Sequence, residues 1–215
     1  MDQSKPQHRQ LILILGGARS GKSSYAEALA TQLAGDKPVT YIATATAQDD
    51  EMRARIARHQ SERPPNWTTL EAPLDPATAL RDHLVEQSPR VVLLDCITLL
   101  VANLLEASLQ GGKRPGDAAQ IEARAMAIIA DLLAVYQSRV ASLILVSNEV
   151  GMGVVPPYPL GRIYRDVLGH VNAHLAQVAD AVLMLIAGLP VELKELSARW
   201  QAKSERFSGD TASHR

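Results

Sequence analysis

The sequence predicts an α/β fold in which three layers enclose a mostly parallel central sheet, and two patterns carry this prediction. The first is a series of short apolar runs, each suited to a strand that is covered on both faces. The second is a series of amphipathic segments with helical periodicity between those runs. Strands that alternate with helices favour parallel pairing through right-handed crossovers.

The clearest strand predictions are rich in Val, Ile, Leu and Ala, and they cover residues 11–15, 39–43, 91–95, 142–147 and 181–186. A weaker strand is predicted at residues 68–71. Apolar residues recur at intervals of three and four in residues 119–136 and 161–178, which predicts two amphipathic helices. The alternation of these segments supports one domain over residues 11–190, after a flexible N-terminus at residues 1–10 and before a partly disordered extension at 191–215.

A glycine-rich motif joins the first predicted strand to a helix. Gly16 is followed, after four residues, by Gly21, Lys22 and Ser23, which is a complete P-loop pattern in its strand–loop–helix setting. Glycines allow successive backbone N–H groups to turn toward one anion, and the helix N-terminus adds partial positive charge. The alternative is a glycine-rich turn that only links a strand to a helix. The motif makes the predicted fold P-loop NTPase-like and predicts binding of a nucleoside triphosphate.

The predicted phosphate contacts are Gly16, Gly17, Ala18, Arg19, Ser20, Gly21, Lys22 and Ser23. Lys22 is suited to a catalytic role at the terminal phosphates, and the Ser23 hydroxyl group is a ligand for Mg²⁺. The run at residues 91–94 ends in Asp95, whose carboxylate would orient the same Mg²⁺. The alternative for Asp95 is capping of the following helix.

Composition narrows the range of partners. The net charge of −1 gives no support for nucleic-acid binding, and the longest apolar runs are far shorter than the roughly 20 residues that a membrane span needs. The only cysteine, Cys96, precludes an internal disulfide and fits a reducing compartment, so we expect the cytoplasm.

Two further segments carry chemistry-bearing side chains. Residues 49–59 are typical of a charged helix with Arg55 and His59 on one face, which suits either a solvated surface or a functional face. At the end of a predicted strand, Asn148 and Glu149 precede a loop that is rich in glycine and proline. These two side chains satisfy loop backbone groups or shape a substrate pocket, and the pattern does not decide between them.

Taken together, the segments resemble the bifunctional adenosylcobinamide kinase/adenosylcobinamide-phosphate guanylyltransferase family of cobalamin biosynthesis. The resemblance covers about residues 11–190, and its most specific parts are the histidine segment and the Asn-Glu-Val-Gly segment. The matching pieces are residues 16–23, 41–45, 50–52, 55–56, His59, 63–64, Trp67, 95–98, 103–105, 147–156 and 171–172.

The resemblance implies two reactions. Adenosylcobinamide first takes the γ-phosphoryl group of ATP or GTP, and His59 then attacks the α-phosphate of GTP, carries GMP and passes it to adenosylcobinamide phosphate. Neutral imidazole is a competent nucleophile near pH 7. Some relatives carry a second histidine where this chain has Arg58, so the assignment falls on His59 alone.

The family's further nucleotide contacts map onto Ala43, Thr44, Ala45, Gln60, Ser61, Glu62, Arg63, Glu71 and Asp95. Glu71 would accept from the adjacent N–H donors of guanine, and Arg63 would pair with phosphate oxygens. The resemblance also implies Mg²⁺ and a homotrimer. Two alternatives stay open from the residues alone, a kinase with a single activity in which His59 is a bystander and a nucleotide-dependent regulatory module.

Overall fold

The sheet of the computed structural model has seven strands in the described part of the chain, which comprises residues 9–46, 63–110, 118–138 and 142–210. The strands are β1 (Leu11–Gly16), β2 (Val39–Ala43), β3 (Trp67–Glu71), β4 (Val91–Asp95), β5 (Ser142–Asn148), β6 (Ala181–Ile186) and β7 (Leu189–Glu192). Their order across the sheet is β3-β2-β4-β5-β1-β6-β7, and only β7 pairs antiparallel among them.

The helices of the described residues are α1 (Lys22–Ala34), α2 (Pro76–Glu86), α3 (Ile97–Gln110), α4 (Ala118–Ser138), α5 (Pro159–Val178) and α6 (Leu193–Asp210). Alternate residues of β1 enter different cores because successive side chains of a strand point to opposite faces. Leu13 packs with α2, α3, α4 and α5, whereas Ile14 packs with α1 on the other face. This arrangement confirms the predicted α/β class, with helical layers on both faces of a mostly parallel sheet.

The predicted strands agree with the observed ones to within one residue at each end, and the two predicted helices each extend slightly further than their periodicity. The segment after residue 186 contains two elements that the sequence patterns did not predict. Residues 189–192 form β7, and α6 follows it directly. A two-residue turn joins β6 to β7, and both Ala187 (φ 51°) and Gly188 (φ 83°) have the positive φ that tight hairpins require.

The strand register brings the predicted site residues to one edge of the sheet. Glu71, Ala43 and Asp95 are neighbours at the carboxyl ends of β3, β2 and β4. On the other side of β5, β1 continues to Gly16, which pairs with Asn148. Open α/β sheets bind their ligands at this edge. No helix in the described ranges has the length and apolar character needed to cross a membrane.

Candidate active site

The P-loop, residues 16–23, has the backbone shape that its sequence predicts. Gly21 immediately precedes α1 with φ 88°, and Arg19 also has positive φ, at 58°. No side chain caps the N-terminus of α1, so the first amide groups of the helix have no side-chain acceptor from a capping residue. A Cβ atom on Gly16 would lie 2.5 Å from Ser20 Oγ and 2.9 Å from the Leu185 carbonyl oxygen, so this position requires glycine.

The turn between β6 and β7 braces the P-loop from one side. The Gly188 amide donates to the Ser20 carbonyl oxygen at 3.0 Å, and the Cα atom of Gly188 lies 3.6 Å from the Cβ position of Gly21. From β5, the Glu149 amide donates to the Gly16 carbonyl oxygen at 3.1 Å. The loop is therefore held at both ends by neighbouring strands, and the contribution of Gly188 was not predicted from the sequence.

Two side chains of the P-loop are suited to an anion. The buried Ser20 Oγ has no hydrogen-bond partner among the residues that the structure describes, which is unusual for a buried hydroxyl group. Lys22 Nζ donates to the Gly17 carbonyl oxygen at 3.1 Å, so the ammonium group lies over its own loop. A phosphate in this cradle would supply the acceptors that these donors and the amides of α1 need.

The end of β4 is tied to the end of β2 by Thr44. Its hydroxyl group donates to the Cys96 carbonyl oxygen at 2.7 Å and accepts from the Cys96 amide at 2.8 Å, while its own amide donates to the Asp95 carbonyl oxygen at 3.3 Å. Burial, followed by the charge of Asp95, raises the pKa of the Cys96 thiol to about 11, and the charge of Lys22 acts in the opposite direction. The charge of Lys22 therefore acts on the Cys96 thiol at the junction of β4 and α3.

Asp95 also contacts a group of ring and charged side chains in which Tyr41 and Arg63 are buried. The Tyr41 hydroxyl group donates to Asp95 Oδ2 at 3.1 Å, and the guanidinium carbon of Arg63 lies 3.3 Å from the centroid of the Tyr41 ring. Arg63 Nη1 donates to Thr69 Oγ1 at 3.1 Å, and Arg63 Nε lies 3.6 Å from Glu27 Oε1. Burial, and then the Asp95 charge, raise the pKa of Tyr41 far above its usual value, so the phenol stays neutral.

A second loop leaves the same edge of the sheet beside the P-loop. We call residues 149–158 the proline loop, and it contains no charged side chain after Glu149. Its exposed large apolar side chains are those of Met152, Val154, Val155 and Tyr158. Glu149 Oε1 accepts from the Gly151 amide at 2.5 Å. Of the two roles considered for this carboxylate, the structure therefore shows the hydrogen bond to a backbone group of the loop.

The far end of the proline loop is fastened to α5. Arg162 Nη1 donates to the carbonyl oxygens of Pro156 (3.0 Å) and Pro157 (2.9 Å). A Cβ atom on Gly161 would lie 2.5 Å from the Tyr158 ring and 2.8 Å from Pro156 Cβ. The loop is thus rigid although its apolar side chains face outward.

Two asparagines hold this edge together, and sequence reasoning assigned neither to that task. Asn172 is 4% exposed, accepts from Ser147 Oγ at 2.7 Å and donates to the Asn148 carbonyl oxygen at 2.9 Å. Asn103 donates to the carbonyl oxygens of Thr44 (2.8 Å) and Pro73 (2.9 Å). The available signal was a single asparagine in each of the helices α3 and α5, because a buried amide side chain must find hydrogen-bond partners.

Comparisons with known proteins agree with this geometry. The family model described as cobinamide kinase / cobinamide phosphate guanyltransferase matches residues 12–193. The chain belongs to this family. The resemblance stated from the sequence motifs is therefore confirmed.

Three curated relatives have similar lengths to this chain. The bifunctional adenosylcobalamin biosynthesis protein CobU of Salmonella typhimurium is 44% identical over 188 residues, which cover 86% of this chain and 99% of that protein. CobU of Escherichia coli is 42% identical over 189 residues, with coverage of 86% and 99%. The bifunctional adenosylcobalamin biosynthesis protein CobP of Pseudomonas aeruginosa is 42% identical over 182 residues, with coverage of 85% and 96%.

Two oxygen donors of the described residues fit Mg²⁺ by their chemistry. Ser23 is the second residue of α1, and Asp95 ends β4 with a partly exposed side chain. Both supply oxygen ligands, which Mg²⁺ prefers together with phosphate oxygens and water. Helix α1 packs against β4 as well as β1, so both donors belong to one packed unit.

The remaining predicted site residues fall into two groups. Glu71 is exposed at the end of β3, Ala43 is buried, and Ala45 is half-buried beyond the end of β2. His59 and the neighbouring Gln60, Ser61 and Glu62 lie outside the described residues, as does the predicted helix at 49–59. The nucleotide and catalytic roles of all these residues stay predictions.

Proposed function

We propose that this protein phosphorylates adenosylcobinamide with ATP or GTP and then converts adenosylcobinamide phosphate to adenosylcobinamide-GDP through a guanylyl-histidine intermediate at His59. Family membership over residues 12–193 and the bifunctional names of the relatives support both activities. The observation that carries the proposal in this molecule is the braced P-loop at the carboxyl edge, in the same packed unit as Asp95.

In the kinase reaction, a hydroxyl oxygen of adenosylcobinamide attacks the γ-phosphorus, and the bond from that phosphorus to the bridging oxygen breaks. The nucleoside diphosphate leaves with the electron pair, and the hydroxyl proton passes to solvent. Lys22 and the amides at the start of α1 stabilise the charge on the phosphate oxygens. Ser23 and Asp95 would hold a Mg²⁺ ion that enters with the nucleotide, and this ion would supply further charge neutralisation.

In the guanylyl transfer, the His59 imidazole attacks the α-phosphorus of GTP, and pyrophosphate leaves. A phosphate oxygen of adenosylcobinamide phosphate then attacks the same phosphorus, the P–N bond breaks, and the imidazole is regenerated. His59 lies four residues before Arg63 in the sequence, and the Arg63 guanidinium group lies against the Tyr41 ring, whose hydroxyl group donates to Asp95.

The proline loop is where we propose that the corrin ring of the acceptor rests. The loop adjoins the P-loop directly, since the Glu149 amide donates to the Gly16 carbonyl oxygen. Its exposed apolar side chains suit the methyl-bearing rim of a large ring, and its fastening to α5 lowers the entropy lost on binding. One surface next to the P-loop would serve the acceptors of both reactions.

We also propose that the protein assembles as a homotrimer, as the family resemblance implies, and acts in the cytoplasm. Exposed large apolar side chains on β7 and α6 support assembly, since such side chains are common in protein contacts. They are those of Leu189, Val191, Leu196 and Trp200. A single buried cysteine agrees with a reducing compartment.

The deciding experiment compares His59→Ala with the wild-type protein. We expect His59→Ala to abolish guanylyl transfer and to leave phosphorylation of adenosylcobinamide measurable, because the nucleophile is needed only in the second reaction. After incubation with GTP and Mg²⁺, intact mass should show one GMP on the wild-type protein, labile in acid and stable in alkali. His59→Ala should show none.

His170→Ala is the matched control, because His170 is an exposed histidine on α5 that pairs with Glu122. It should retain the adduct and both activities. Equal loss of both activities in a folded His59→Ala protein would contradict the division of labour. Absence of any adduct on the wild-type protein, with phosphorylation intact, would instead favour a kinase with a single activity.

A further inference from the structure

We propose that Tyr41 is a positioning residue that orients the Asp95 carboxylate toward the divalent cation of the bound nucleotide. The inference rests on the proposed function, because that function gives Asp95 its role at the cation. It goes further by assigning a task to Tyr41, and through its ring to Arg63 and Glu27.

The first step is the hydrogen bond from Tyr41 to Asp95. The phenol hydroxyl group lies 3.1 Å from Oδ2, and Tyr41 is only 5% exposed. A carboxylate has two oxygens and about four acceptor positions, so one donor on Oδ2 leaves the others for a cation and water. Without that donor the carboxylate can rotate about its terminal torsion, which has only a broad energy minimum.

The second step is that the Tyr41 ring is itself held. Its centroid lies 6.4 Å from that of Trp67, with the two planes tilted by 32°. The Arg63 guanidinium carbon lies 3.3 Å from the same centroid, a close cation–π contact. A ring held by two neighbours presents its hydroxyl group at a fixed place.

The third step connects this group to the P-loop helix. The Arg63 side chain is 7% exposed, donates to Thr69 on β3 and pairs with Glu27 on α1. The helix that carries Lys22 and Ser23 is therefore linked to Asp95 through three side chains. Such a link fixes the position of Asp95 relative to Ser23, and these are the two predicted oxygen ligands of the cation.

The test replaces Tyr41 with phenylalanine, which keeps the ring and removes the hydroxyl group. Mn²⁺ serves as the probe, because its free concentration can be measured by electron paramagnetic resonance in the presence of a non-hydrolysable GTP analogue. We expect Tyr41→Phe to weaken Mn²⁺ binding about tenfold, the loss typical of one hydrogen bond to a charged group. Affinity for the analogue in the presence of EDTA should not change.

Tyr136→Phe is the matched control, because an arginine, Arg9, also lies over the Tyr136 ring, at 4.8 Å. It removes the same atom far from Asp95 and should leave Mn²⁺ binding unchanged. A double-mutant cycle with Asp95→Asn provides the second arm, and in that background Tyr41→Phe should add no further loss.

Three results would overturn the inference. They are unchanged Mn²⁺ affinity in Tyr41→Phe, an equal loss of analogue affinity with EDTA, and additive losses in the double-mutant cycle. Neither adenosylcobinamide nor the His59 adduct is needed for these measurements. If wild-type protein bound the analogue without any gain from Mn²⁺, the cation role of Asp95 would fail together with the inference. A normal wild-type response with an unaffected Tyr41→Phe would reject the inference alone.

Discussion

The P-loop and the proline loop leave the same edge of the sheet from adjacent parallel strands, yet they are built from opposite chemistry. Gly16 at the end of β1 pairs with Asn148 at the end of β5, and a backbone hydrogen bond continues that pairing into the two loops. The P-loop turns amide, hydroxyl and ammonium donors toward one space. The proline loop exposes Met152 and Val154 and has no charged group after its first residue.

The difference shows two ways to make a loop rigid. The P-loop depends on backbone conformations with positive φ at Arg19 and Gly21, and on the brace from Gly188. The proline loop depends on its prolines and on the bonds from Arg162 to two consecutive carbonyl groups. The first solution places amide groups at the start of a helix, where they suit an anion, and the second holds apolar side chains in water for a ligand with an apolar surface.

The largest effect should come from removing the P-loop charge. We expect Lys22→Ala to lower the rates of both reactions by at least about 100-fold, because one ammonium group serves both triphosphate reactions. Initial rates of phosphorylation and of guanylyl transfer measure this change. Lys37→Ala, at an exposed position after α1, should leave both rates unchanged. Guanylyl transfer that survives undiminished in Lys22→Ala would mean that the two reactions do not share the P-loop.

Two glycine variants distinguish the role of the P-loop from that of the proline loop. Gly16→Ala should lower the free energy of unfolding by about 1–3 kcal/mol and weaken GTP binding, because its Cβ atom would overlap Ser20 and the Leu185 carbonyl group. Gly161→Ala should displace the proline loop through Tyr158 and Pro156, and raise KM for adenosylcobinamide several-fold at unchanged KM for GTP. Thermal denaturation without nucleotide and steady-state kinetics measure the two effects.

Each of these variants has a control that adds the same methyl group to open space. A Cβ atom on Gly17 or on Gly169 would meet no heavy atom within 4 Å. Gly17→Ala should therefore leave the unfolding temperature without nucleotide nearly unchanged, and Gly169→Ala should leave both KM values unchanged. If Gly161→Ala raised KM for GTP as much as KM for adenosylcobinamide, the two loops would not serve different substrates.

The smallest effect should come from one apolar side chain of the proline loop. Val154 is 96% exposed, so Val154→Ser should change stability by less than about 0.5 kcal/mol. If the corrin ring covers this side chain, KM for adenosylcobinamide should rise about fivefold at unchanged kcat. Val85→Ser, at a valine that is 76% exposed on α2, is the control and should change neither constant. A fall in trimer content with unchanged KM would place Val154 in a subunit contact instead.

Local sequence patterns predicted the elements well for a physical reason. Strands such as β1 and β5 are covered on both faces, so their apolar runs are almost continuous and easily recognised. The short, exposed β7 has no such run, so the hairpin that braces the P-loop is seen only in the structure, in the β6–β7 pairing and the positive φ angles at Ala187 and Gly188. Its position against Ser20 depends on strand order, which no local pattern encodes.

The sequence by itself determined that a P-loop joins the first strand to the first helix, and its family motifs named both activities. The reason is that glycine spacing, a lysine and a serine act within a few consecutive residues. Only the tertiary structure decided that Tyr41 donates to Asp95, that Arg63 lies on the Tyr41 ring, and that the buried Asn172 accepts a hydrogen bond from Ser147. These contacts join residues from 22 to 54 positions apart, and side chains that distant in sequence meet only after the sheet has formed.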